Sequence, residues 1–500
     1  MGDGSHRILA AGTALVVLAG LLVAGATVRN GTPAAAVANA RPLGALPAAS
    51  LTSRVASFWA CPGPLPAGSG QRHSEIEVVD SGPRRATARL TVAAVAQSGS
   101  GGAPLRGWSE SVTVGAGSST AVALATSGTA QNDAVSVESE SSALAVFEAV
   151  VPAAAPSPRS VTPAVLQSPC ELGVSRASYI PSGSTLGGST VLVSVYDPTA
   201  TEAVVGISVS SGSSSVEPPA LQGLTIRPYT VQTFELGKWV VQQPTVAVAV
   251  TATVGQVAVG TSESQSSTGT TGQALEIGVD QVSTTWMLAP GLAASGRTIG
   301  VRVFDPSPRA TTVTISSPVQ GAAPVELTAS VPARGAATVQ LPVAAASSGA
   351  HLAAPTEGAV VVRSSQGVGV VVARLAATSV HKGLQAVSYL AVTAEPSTRW
   401  ALPALGGAGE TVVAVNPGGR PVTIVIEVAG SAGAAPRRAG QMTVPADSSA
   451  ALGLPAAPAE VLVGTSAAPV VVEGAALAHQ GGAEAAPGWS TPVEAVPVVG

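Results

Sequence analysis

The chain has 500 residues, of which 46% are hydrophobic and only 10% are charged, and its formal net charge is −4. One hydrophobic core cannot organise a chain of this length, so we expect about three to five domains. The weak net charge, with no basic cluster larger than a pair such as Arg84-Arg85, argues against nucleic acid as a partner.

The first predicted element lies at the N-terminus. After a short tail (1–7), residues 8–28 form an uncharged apolar stretch of 21 residues, which as a helix would reach roughly 30 Å and span a bilayer. It is either a transmembrane signal anchor or a cleaved signal peptide, because Ala36-Val37-Ala38 would suit signal peptidase. Residues 29–54 are rich in Ala and Pro and predict a linker. We expect a single-pass cell-membrane protein with its bulk extracytoplasmic, or a secreted protein if the segment is cleaved.

The rest of the chain is organised by a repeated break in an apolar run. The segment "TVVAVNPGGRPVTIVIEV" stops at Asn416-Pro417 and then resumes. Three earlier segments break in the same way, at Asp80-Ser81, Asp197-Pro198 and Asp305-Pro306. Successive breaks are 117, 108 and 111 residues apart, a period that suits a whole domain better than a solenoid repeat.

Each break predicts the end of a strand. Asn or Asp can accept a hydrogen bond from its own backbone, while proline fixes φ near about −65° and lacks the N–H that a continuing ladder needs. After the last break, apolar residues from Val422 to Val428 recur at every second position, as in a strand with one buried face. We therefore expect an Asx-turn between two strands in all four copies.

Two further landmarks keep register with the breaks. An aromatic residue shortly before a proline precedes each break by 16 to 21 residues: Trp59, Tyr179, Trp286 and Trp400. After each break, an apolar residue lies ten positions before a leucine: Val114–Leu124, Ile226–Leu236, Val331–Leu341 and Val444–Leu454. A fifth aromatic motif, Trp489 with Pro492, has no copy after it, so we expect it to supply a strand that closes the fourth copy.

Each copy holds about seven short strands between turns rich in Gly, Pro and Ser, which is typical of a β-sandwich with immunoglobulin-like architecture. The Cys…Trp…Cys spacing of a true immunoglobulin domain is missing. We expect an all-β chain of tandem sandwiches after one N-terminal helix, with copies at 55–169, 170–280, 281–394 and 395–500. The alternative is a β-propeller, in which each copy would supply two blades or one decorated blade.

The combined pattern resembles a known family. The Trp…Pro pair, the Asn-Pro break in a Val-rich strand, the Pro/Gly hairpin and the ending "EVLVGTSAAPVVVEGAAL" are similar to repeats of uncharacterised actinobacterial exported proteins grouped as domain-of-unknown-function 5719. The resemblance covers about residues 55–495 and is best in the third and fourth copies, whereas the first has Ser81 in place of the proline. It implies surface exposure and supplies no catalytic residue.

The two cysteines predict a structural bond. Cys61 follows Trp59, and Cys170 lies at the junction of the first two copies. In an exported protein such a pair predicts a disulfide rather than a metal site or a reactive thiol. The bond would stabilise the fold by up to roughly 4–5 kcal/mol in the chain-entropy model. It would also bring the start of the first copy beside its end.

The search for catalytic residues favours a non-enzymatic protein. Residues 78–82, "VVDSG", match the pattern around an aspartic-protease carboxylate, but Asp80 falls in the repeated turn and that chemistry needs a second carboxylate. The five histidines lie far apart, Gly237-Lys238 lacks the rest of a phosphate-binding loop, and no G-x-S-x-G elbow occurs. We expect no catalytic residue, metal or cofactor.

Candidate binding residues are few. Four of the six tryptophans occupy the repeated position, where packing in a core or between domains is the expected role. Trp108, Trp239 and Tyr229 fall outside that register and would favour sugar binding if exposed in a groove. The sequence predicts a structural or interaction protein of the cell envelope, tethered to the cytoplasmic membrane through residues 8–28, with envelope proteins or cell-wall glycans as partners. The alternative is a carbohydrate- or peptidoglycan-binding surface protein.

Overall fold

The computed structural model describes residues 57–63, 72–95, 107–124, 134–141, 143–152, 166–267, 270–289, 297–319, 322–342, 359–380, 384–391, 396–402, 408–431, 434–454, 462–477, 493–494 and 496–497. All of them belong to the compact body Leu46–Gly500. Within these stretches the regular elements are β-strands and two short 3-10 helices, Pro219–Leu221 and Leu236–Lys238, and no helix has the length and apolar character to cross a membrane. The all-β prediction is confirmed, whereas the predicted segment 8–28 and the linker 29–54 lie outside the described residues.

The strands fall into four sets in chain order, which we call units 1 to 4. Unit 1 contains β1 (Ser57–Cys61), β2 (Arg72–Asp80), β3 (Ala86–Val92), β4 (Ala94–Val95), β5 (Ser109–Val114), β6 (Ser118–Ala123), β7 (Val135–Ser139), β8 (Leu144–Pro152), β9 (Leu166–Pro169) and β10 (Glu171–Leu172). Unit 2 contains β11 (Ala177–Ile180), β12 (Ser189–Asp197), β13 (Ala203–Ser211), β14 (Ser214–Val216), β15 (Leu224–Ile226), β16 (Thr230–Glu235), β17 (Ala247–Val254), β18 (Ala258–Ser267) and β19 (Thr270–Ile277).

The second half of the chain repeats this series. Unit 3 contains β20 (Thr285–Leu288), β21 (Arg297–Asp305), β22 (Thr311–Val319), β23 (Ala322–Val331), β24 (Gly335–Gln340), β25 (Val360–Ser364), β26 (Val371–Val380) and β27 (Leu384–Ala391). Unit 4 contains β28 (Ser397–Leu402), β29 (Ala408–Asn416), β30 (Val422–Val428), β31 (Gly430–Ser431), β32 (Arg437–Val444), β33 (Ser448–Gly453), β34 (Leu462–Leu477), β35 (Val493–Glu494) and β36 (Val496–Pro497).

All four units share one strand order, which we describe by positions one to eight. Positions one to four are held by β1, β2, β3 and β5 in unit 1, β11 to β14 in unit 2, β20 to β23 in unit 3, and β28, β29, β30 and β32 in unit 4. Positions five to eight are held by β6 to β9, β16 to β19, β24 to β27, and β33, the two halves of β34 and β35. The front sheet has the order one-six-three-four and the back sheet five-two-seven-eight, with antiparallel pairing throughout each unit.

This pair of sheets is the predicted sandwich, and its strand order has one distinctive feature. An immunoglobulin constant domain pairs its first strand with its second, whereas here position one pairs with position six in every unit. In unit 4, positions six and seven merge into the single strand β34, whose partners change around Pro469. Proline lacks the N–H needed for a continuous ladder, so a change of sheet is expected there.

Each unit encloses its own hydrophobic core between its two sheets. Strand β30 shows how the sequence builds it, because every second residue from Val422 to Val428 is buried while the residues between them are partly exposed. The apolar–leucine pairs spaced ten residues apart also lie in the four cores. Valine and isoleucine fill most of this space, as the pleated surface of a strand favours.

The aromatic residues of position one follow this pattern in three units. Trp59, Trp286 and Trp400 lie in the cores of units 1, 3 and 4. In unit 2 the residue at this register is Ser178, which pairs with Val250 of the sixth strand. Tyr179 points to the other face, where its ring packs edge-on against Phe304 of unit 3 at a centroid distance of 6.3 Å. The alignment of Tyr179 with the tryptophans is therefore one residue out of register, and Trp489 lies outside the described residues.

The units pack head to tail, with the front sheet of each against the back sheet of the next. The contact centres each time on the residue just before the Asx of the turn: Val79, Tyr196, Phe304 and Val415. Each shares a buried cluster with a first-strand residue, or the residue just after that strand, of the preceding unit: Ala401 with Val79, Ala60 with Tyr196, Tyr179 with Phe304, and Ala289 with Val415. The C-terminal part of strand two is thus buried on both of its faces.

Because unit 4 packs on unit 1 in the same manner, the four units form a closed ring. Gly430 donates its N–H to the carbonyl of Gly117 at 3.0 Å, and β31 pairs in parallel with β6. The contact from unit 1 to unit 2 has the same form, since β4 pairs in parallel with β16. From unit 2 to unit 3, Ala336 donates its N–H to Gly212 at 2.9 Å.

The eighth strands complete the ring. They contact one another in a cycle, β9 with β19, β19 with β27, β27 with β35 and β35 with β9, so they lie on its inner side. In unit 4, β35 and β36 pair with β34 and β28, as β9 and β10 pair with β8 and β1 in unit 1. Cyclic closure is a property of the alternative β-propeller, but the repeated element here is a sandwich with its own core.

Candidate functional site

The four repeated turns share one side-chain hydrogen bond. The Oδ1 atom of the Asx residue accepts from the N–H two residues on: Asp80 from Gly82 at 2.8 Å, Asp197 from Thr199 at 2.8 Å, Asp305 from Ser307 at 2.8 Å and Asn416 from Gly418 at 2.9 Å. All four Asx side chains are buried. The residue between the partners is Pro198, Pro306 or Pro417 in units 2 to 4. This is the geometry of an Asx-turn.

The second polar atom of the Asx side chain distinguishes unit 4 from the others. Asn416 Nδ2 donates to the carbonyls of Arg420 at 2.7 Å, Val444 at 3.2 Å and Pro445 at 2.9 Å. In units 1 to 3 the corresponding atom is Oδ2 of Asp80, Asp197 or Asp305, which is buried without a hydrogen-bond partner among the described residues. The carbonyl oxygens around Asn416 favour a donor in unit 4. In units 1 and 2 the backbone N–H groups of Ala86 and Ala203 instead favour the charged form of Asp80 and Asp197, and burial opposes it.

The electrostatics of the three carboxyl groups agree with this geometry. Burial raises the pKa of Asp197 to about 6, although hydrogen bonds from Thr199 lower it. Burial also raises the pKa of Asp305. The pKa of Asp80 is raised by burial too, against the lowering effects of nearby N–H groups and of the charge of Arg399 in unit 4. The carboxyl group in the "VVDSG" segment thus serves a turn.

The predicted disulfide between Cys61 and Cys170 is confirmed, with the two Cα atoms 4.6 Å apart. Cys61 ends β1, and Cys170 lies between β9 and β10, so the bond joins the start of unit 1 to its end. Both cysteines are buried in the first core. The bond therefore fixes the segment that leads into unit 2.

A buried network of charged residues joins units 2 and 3. Glu263 and Glu276 of unit 2 and Arg302 of unit 3 are all buried. Ser182 Oγ lies 2.8 and 2.7 Å from the two carboxylate oxygens of Glu276, and Arg302 Nε donates to Thr338 Oγ1 at 3.1 Å. Burial raises the pKa of Glu263 to about 8 and that of Glu276 to about 7, while the charge of Arg302 lowers both.

Two further inter-unit contacts use buried or partly buried charges. Between units 3 and 4, Arg374 Nη1 lies 2.5 Å from Glu473 Oε2, and both side chains are about 5% exposed. The same pair holds Ala289, whose N–H donates to Glu473 at 2.9 Å and whose carbonyl accepts from Arg374 at 3.1 Å. Between units 4 and 1, Arg399 Nη2 donates to the Ser81 carbonyl at 2.8 Å. Removing one partner of a buried pair costs roughly 3–5 kcal/mol, so these contacts fix the arrangement of the units.

An open groove of about 220 Å³ lies where the front sheet of unit 2 meets the turn of unit 3. Its lining on unit 2 is mainly polar: Tyr179, Gly206, Ser208, Ser210, Ser215, Glu217, Gln222, Ala249 and Thr251. Unit 3 contributes Phe304, Pro306 and Arg334. We call this the Gly206 groove.

Trp108, Trp239 and Tyr229 do not line this groove. Trp108 and Trp239 are partly buried and pack against the first and second cores. Tyr229 is 49% exposed in a turn where its φ is +57°, and it is absent from the lining of the Gly206 groove. Within the described stretches, no group of three or more His, Cys, Asp or Glu residues is placed to hold a metal ion.

Sequence reasoning missed the ring and the groove. The signal for the ring is present, because "VVD", "VYD", "VFD" and "AVN" end each second strand with apolar residues on both faces, a pattern of strands covered on both sides. The signal for the groove is Gly206, which holds the place of Arg89, Thr314 and Val425 in the other units, nine residues after the Asx.

Comparison with known proteins leaves the chain without an assigned family. No family model and no curated protein matches it, so the resemblance drawn from its repeats stays a prediction. One similar solved structure, Thermotoga maritima 1070, has 16% identity and a TM-score of 0.19, and the match covers 21% of this chain and 95% of that one. Another, a tetra-tandem repeat from the extending region of a large adhesion protein, has 12% identity and a TM-score of 0.11, covering 86% and 96%. Both scores are too low to support a functional argument.

Proposed function

We propose that this protein is a non-enzymatic scaffold of the cell envelope, tethered to the cytoplasmic membrane through residues 8–28 with its ring outside. An all-β repeat fold is compatible with a structural or interaction role. The observation that carries the proposal is the contact of unit 4 with unit 1, through the parallel pair β31–β6 and the hydrogen bond from Arg399 to Ser81. A closed ring holds four sandwiches in fixed relative positions, which suits a platform that positions partners.

The use of the buried polar groups supports the same proposal. Arg374 and Glu473 bind each other across a junction between units, and Glu276 is held by Ser182 close to Arg302. Catalytic groups usually face a pocket that a substrate can enter, whereas these groups are buried between units. These buried charges therefore contribute to the contacts between units.

The expected location outside the membrane is supported by the disulfide. Cys61–Cys170 is the kind of bond that persists in oxidising compartments and is rare in the cytosol. The test is protease treatment of intact cells and of lysed cells that express the chain with a C-terminal epitope. We expect degradation in intact cells once any outer barrier is permeabilised. Protection of residues 60–500 until the cytoplasmic membrane is lysed would refute the location.

The scaffold role is tested by opening the ring. Ala401 is fully buried in the contact between units 4 and 1, so Ala401→Glu should separate these units and increase the hydrodynamic radius. The matched control is Val254→Glu, because Val254 is 53% exposed and can carry a charge without loss of packing.

We expect envelope proteins to cross-link in cells to the wild type and to the control Val254→Glu, but not to the open ring of Ala401→Glu. Circular dichroism and an intact disulfide would show that the open form is still folded. Capture of the same partners in the same amounts by a demonstrably open ring would contradict the scaffold role.

A further inference from the structure

We propose that the Gly206 groove binds one ring of a neutral oligosaccharide. The inference deepens the proposed function, on which it rests for its biological setting, by naming a class of ligand. It starts from a difference between the units. In units 1, 3 and 4 the third strand carries Arg89, Thr314 or Val425 where unit 2 has Gly206.

The absence of a side chain at Gly206 leaves room for the Gln222 side chain at the groove. Gln222 lies across the strand there, because its Nε2 donates to the Ile207 carbonyl at 2.8 Å. A Cβ atom added at Gly206 would lie 2.5 Å from Gln222 Oε1, which is the end of a flexible side chain. The φ of Gly206 is not positive, so the backbone does not require glycine here. The glycine is therefore explained by the close approach of Gln222, whose side chain lies over it and lines the groove.

The lining of the groove matches a ligand rich in hydroxyl groups. Ser208, Ser210 and Thr251 are among the lining residues, and a hydroxyl group can both donate and accept a hydrogen bond, as sugar hydroxyls do. Gln222 adds an amide, which offers both kinds of partner. Tyr179 adds an aromatic ring, whose orientation is fixed by its contact with Phe304 and against which the C–H face of a pyranose can pack.

The charge and the volume of the groove restrict the class of ligand further. The two charged groups of the lining, Arg334 and Glu217, lie 3.7 Å apart and are of opposite sign, so the groove offers no net charge to an ionic ligand. Its volume of about 220 Å³ is below the roughly 300–1,000 Å³ typical of pockets for drug-sized molecules. It has room for one sugar ring, and its open side lets neighbouring rings of a chain extend into solvent.

The test is binding of trisaccharides to the full chain, purified in a detergent without a sugar headgroup. The probes are maltotriose, cellotriose and the trimer of N-acetylglucosamine, followed by saturation-transfer NMR and isothermal titration up to about 10 mM, since one ring in an open groove should bind in the roughly millimolar range. We expect at least one probe to bind.

The decisive variant is Gly206→Thr, which introduces the side chain found at this position in unit 3. Threonine favours strands but would displace Gln222 from its hydrogen bond to the Ile207 carbonyl, so the melting temperature should change little. The affinity for the probe should fall at least about tenfold, because the displaced side chain and the threonine occupy the groove. Tyr179→Phe keeps the ring and its contact with Phe304 and tests the hydroxyl alone, with a smaller loss expected. Val254→Thr, on the neighbouring strand outside the groove, is the matched control and should bind as the wild type does.

Two results would overturn this inference: no binding of any of the three probes, or equal binding by the wild type and Gly206→Thr. Neither result bears on the scaffold role, because that role is read from envelope partners captured by the closed and open rings. Loss of those partners only in Ala401→Glu, with sugar binding intact in the wild type, would support both proposals.

Discussion

The turn of unit 4 and the turns of units 1 to 3 have the same Asx-turn geometry but different side chains, an amide in unit 4 and a carboxyl group in the others. Asn416 uses both ends of its amide, accepting from Gly418 at 2.9 Å and donating to three carbonyls. Asp197 accepts from Thr199 at 2.8 Å in the same way, but its Oδ2 has no partner among the described residues. The Asx-turn therefore needs one acceptor, and in unit 4 the buried side of the turn also binds a donor.

The repeat carries Asp or Asn at one position. A protonated carboxyl group can donate one hydrogen bond from Oδ2, so the neutral acid resembles the amide of Asn416 more closely than the carboxylate does. Burial raises the pKa of Asp197 to about 6, so neutrality is reached in mildly acid solution. The comparison predicts that Asn-to-Asp substitution lowers the stability of the protein and that Asp-to-Asn substitution raises it.

The largest effect is expected for Asn416→Asp. At pH 8 the new carboxylate would face the carbonyls of Arg420, Val444 and Pro445 in a buried site, with a cost of about 3–5 kcal/mol for an uncompensated buried charge. Protonation should recover part of this loss at pH 5. Hydrogen exchange of peptides covering β29 and β30 at both pH values measures it.

The control for Asn416→Asp is Gln441→Glu, which adds one charge on an exposed residue of the adjacent strand β32. It should change hydrogen exchange little at either pH. An equal loss for Asn416→Asp at pH 5 and pH 8 would contradict the protonation account.

The second effect is a gain of stability from Asp197→Asn. The folded pKa of Asp197, about 6, exceeds its ordinary value of 3.8, so its contribution to stability is fully present below about pH 4 and is lost as the pH rises through 6. The amide does not titrate. We expect the variant to be more stable than the wild type by about 1–2 kcal/mol at pH 8. At pH 4 the two proteins should have nearly the same stability.

Thermal melting of the wild type and Asp197→Asn at pH 4 and pH 8 checks this prediction. Glu202→Gln is the matched control, because it neutralises an exposed carboxylate near the same turn and should show neither the gain nor the pH dependence. Destabilisation by Asp197→Asn at pH 8 would show that the buried site prefers the carboxylate.

A smaller effect is expected for Thr199→Ala. The Thr199 hydroxyl donates to Asp197 Oδ1 at 2.8 Å. Unit 4 has Gly418 at the corresponding position, so its turn forms without a hydroxyl donor there. Losing this hydrogen bond should cost about 0.5–1.5 kcal/mol and raise the pKa of Asp197 further, because the hydroxyl lowers it. The measured quantity is the pH midpoint of stability, which should move upward. An unchanged midpoint would show that the Thr199 hydroxyl does not affect the pKa of Asp197. The control is Thr225→Ala, which changes an exposed residue of β15.

The smallest effect is expected for Asp80→Asn, because Arg399 compensates part of the charge of Asp80. We expect a gain below about 1 kcal/mol at pH 8. The gain should increase when Arg399 is replaced by Gln, and a double-mutant cycle on melting temperatures measures the coupling. If Asp80→Asn gives the same gain in stability with and without Arg399, the charges of Asp80 and Arg399 are not coupled between units 1 and 4.

Local chemistry explains which features the sequence predicted. The turns at Asp80, Asp197, Asp305 and Asn416 and the alternation of β30 depend on short-range patterns, and the Cys61–Cys170 bond was predictable because the chain has two cysteines. The register of Tyr179 was misjudged, because an aromatic residue near a proline does not show which face of a strand it occupies. The groove arises where units 2 and 3 meet at Gly206 and Phe304, and a contact between distant segments leaves no periodicity in either one.

Ring closure also has a consequence for biogenesis. Arg399 and Ser81 are 318 residues apart, so the edge strand β6 stays without its neighbour β31 until nearly the whole polypeptide has emerged. Unpaired edges of this kind recruit other chains, and contacts between distant segments form slowly. The exposed edge of the nascent first sandwich therefore has to be shielded from other chains during synthesis, and each pause before unit 4 is made prolongs its exposure.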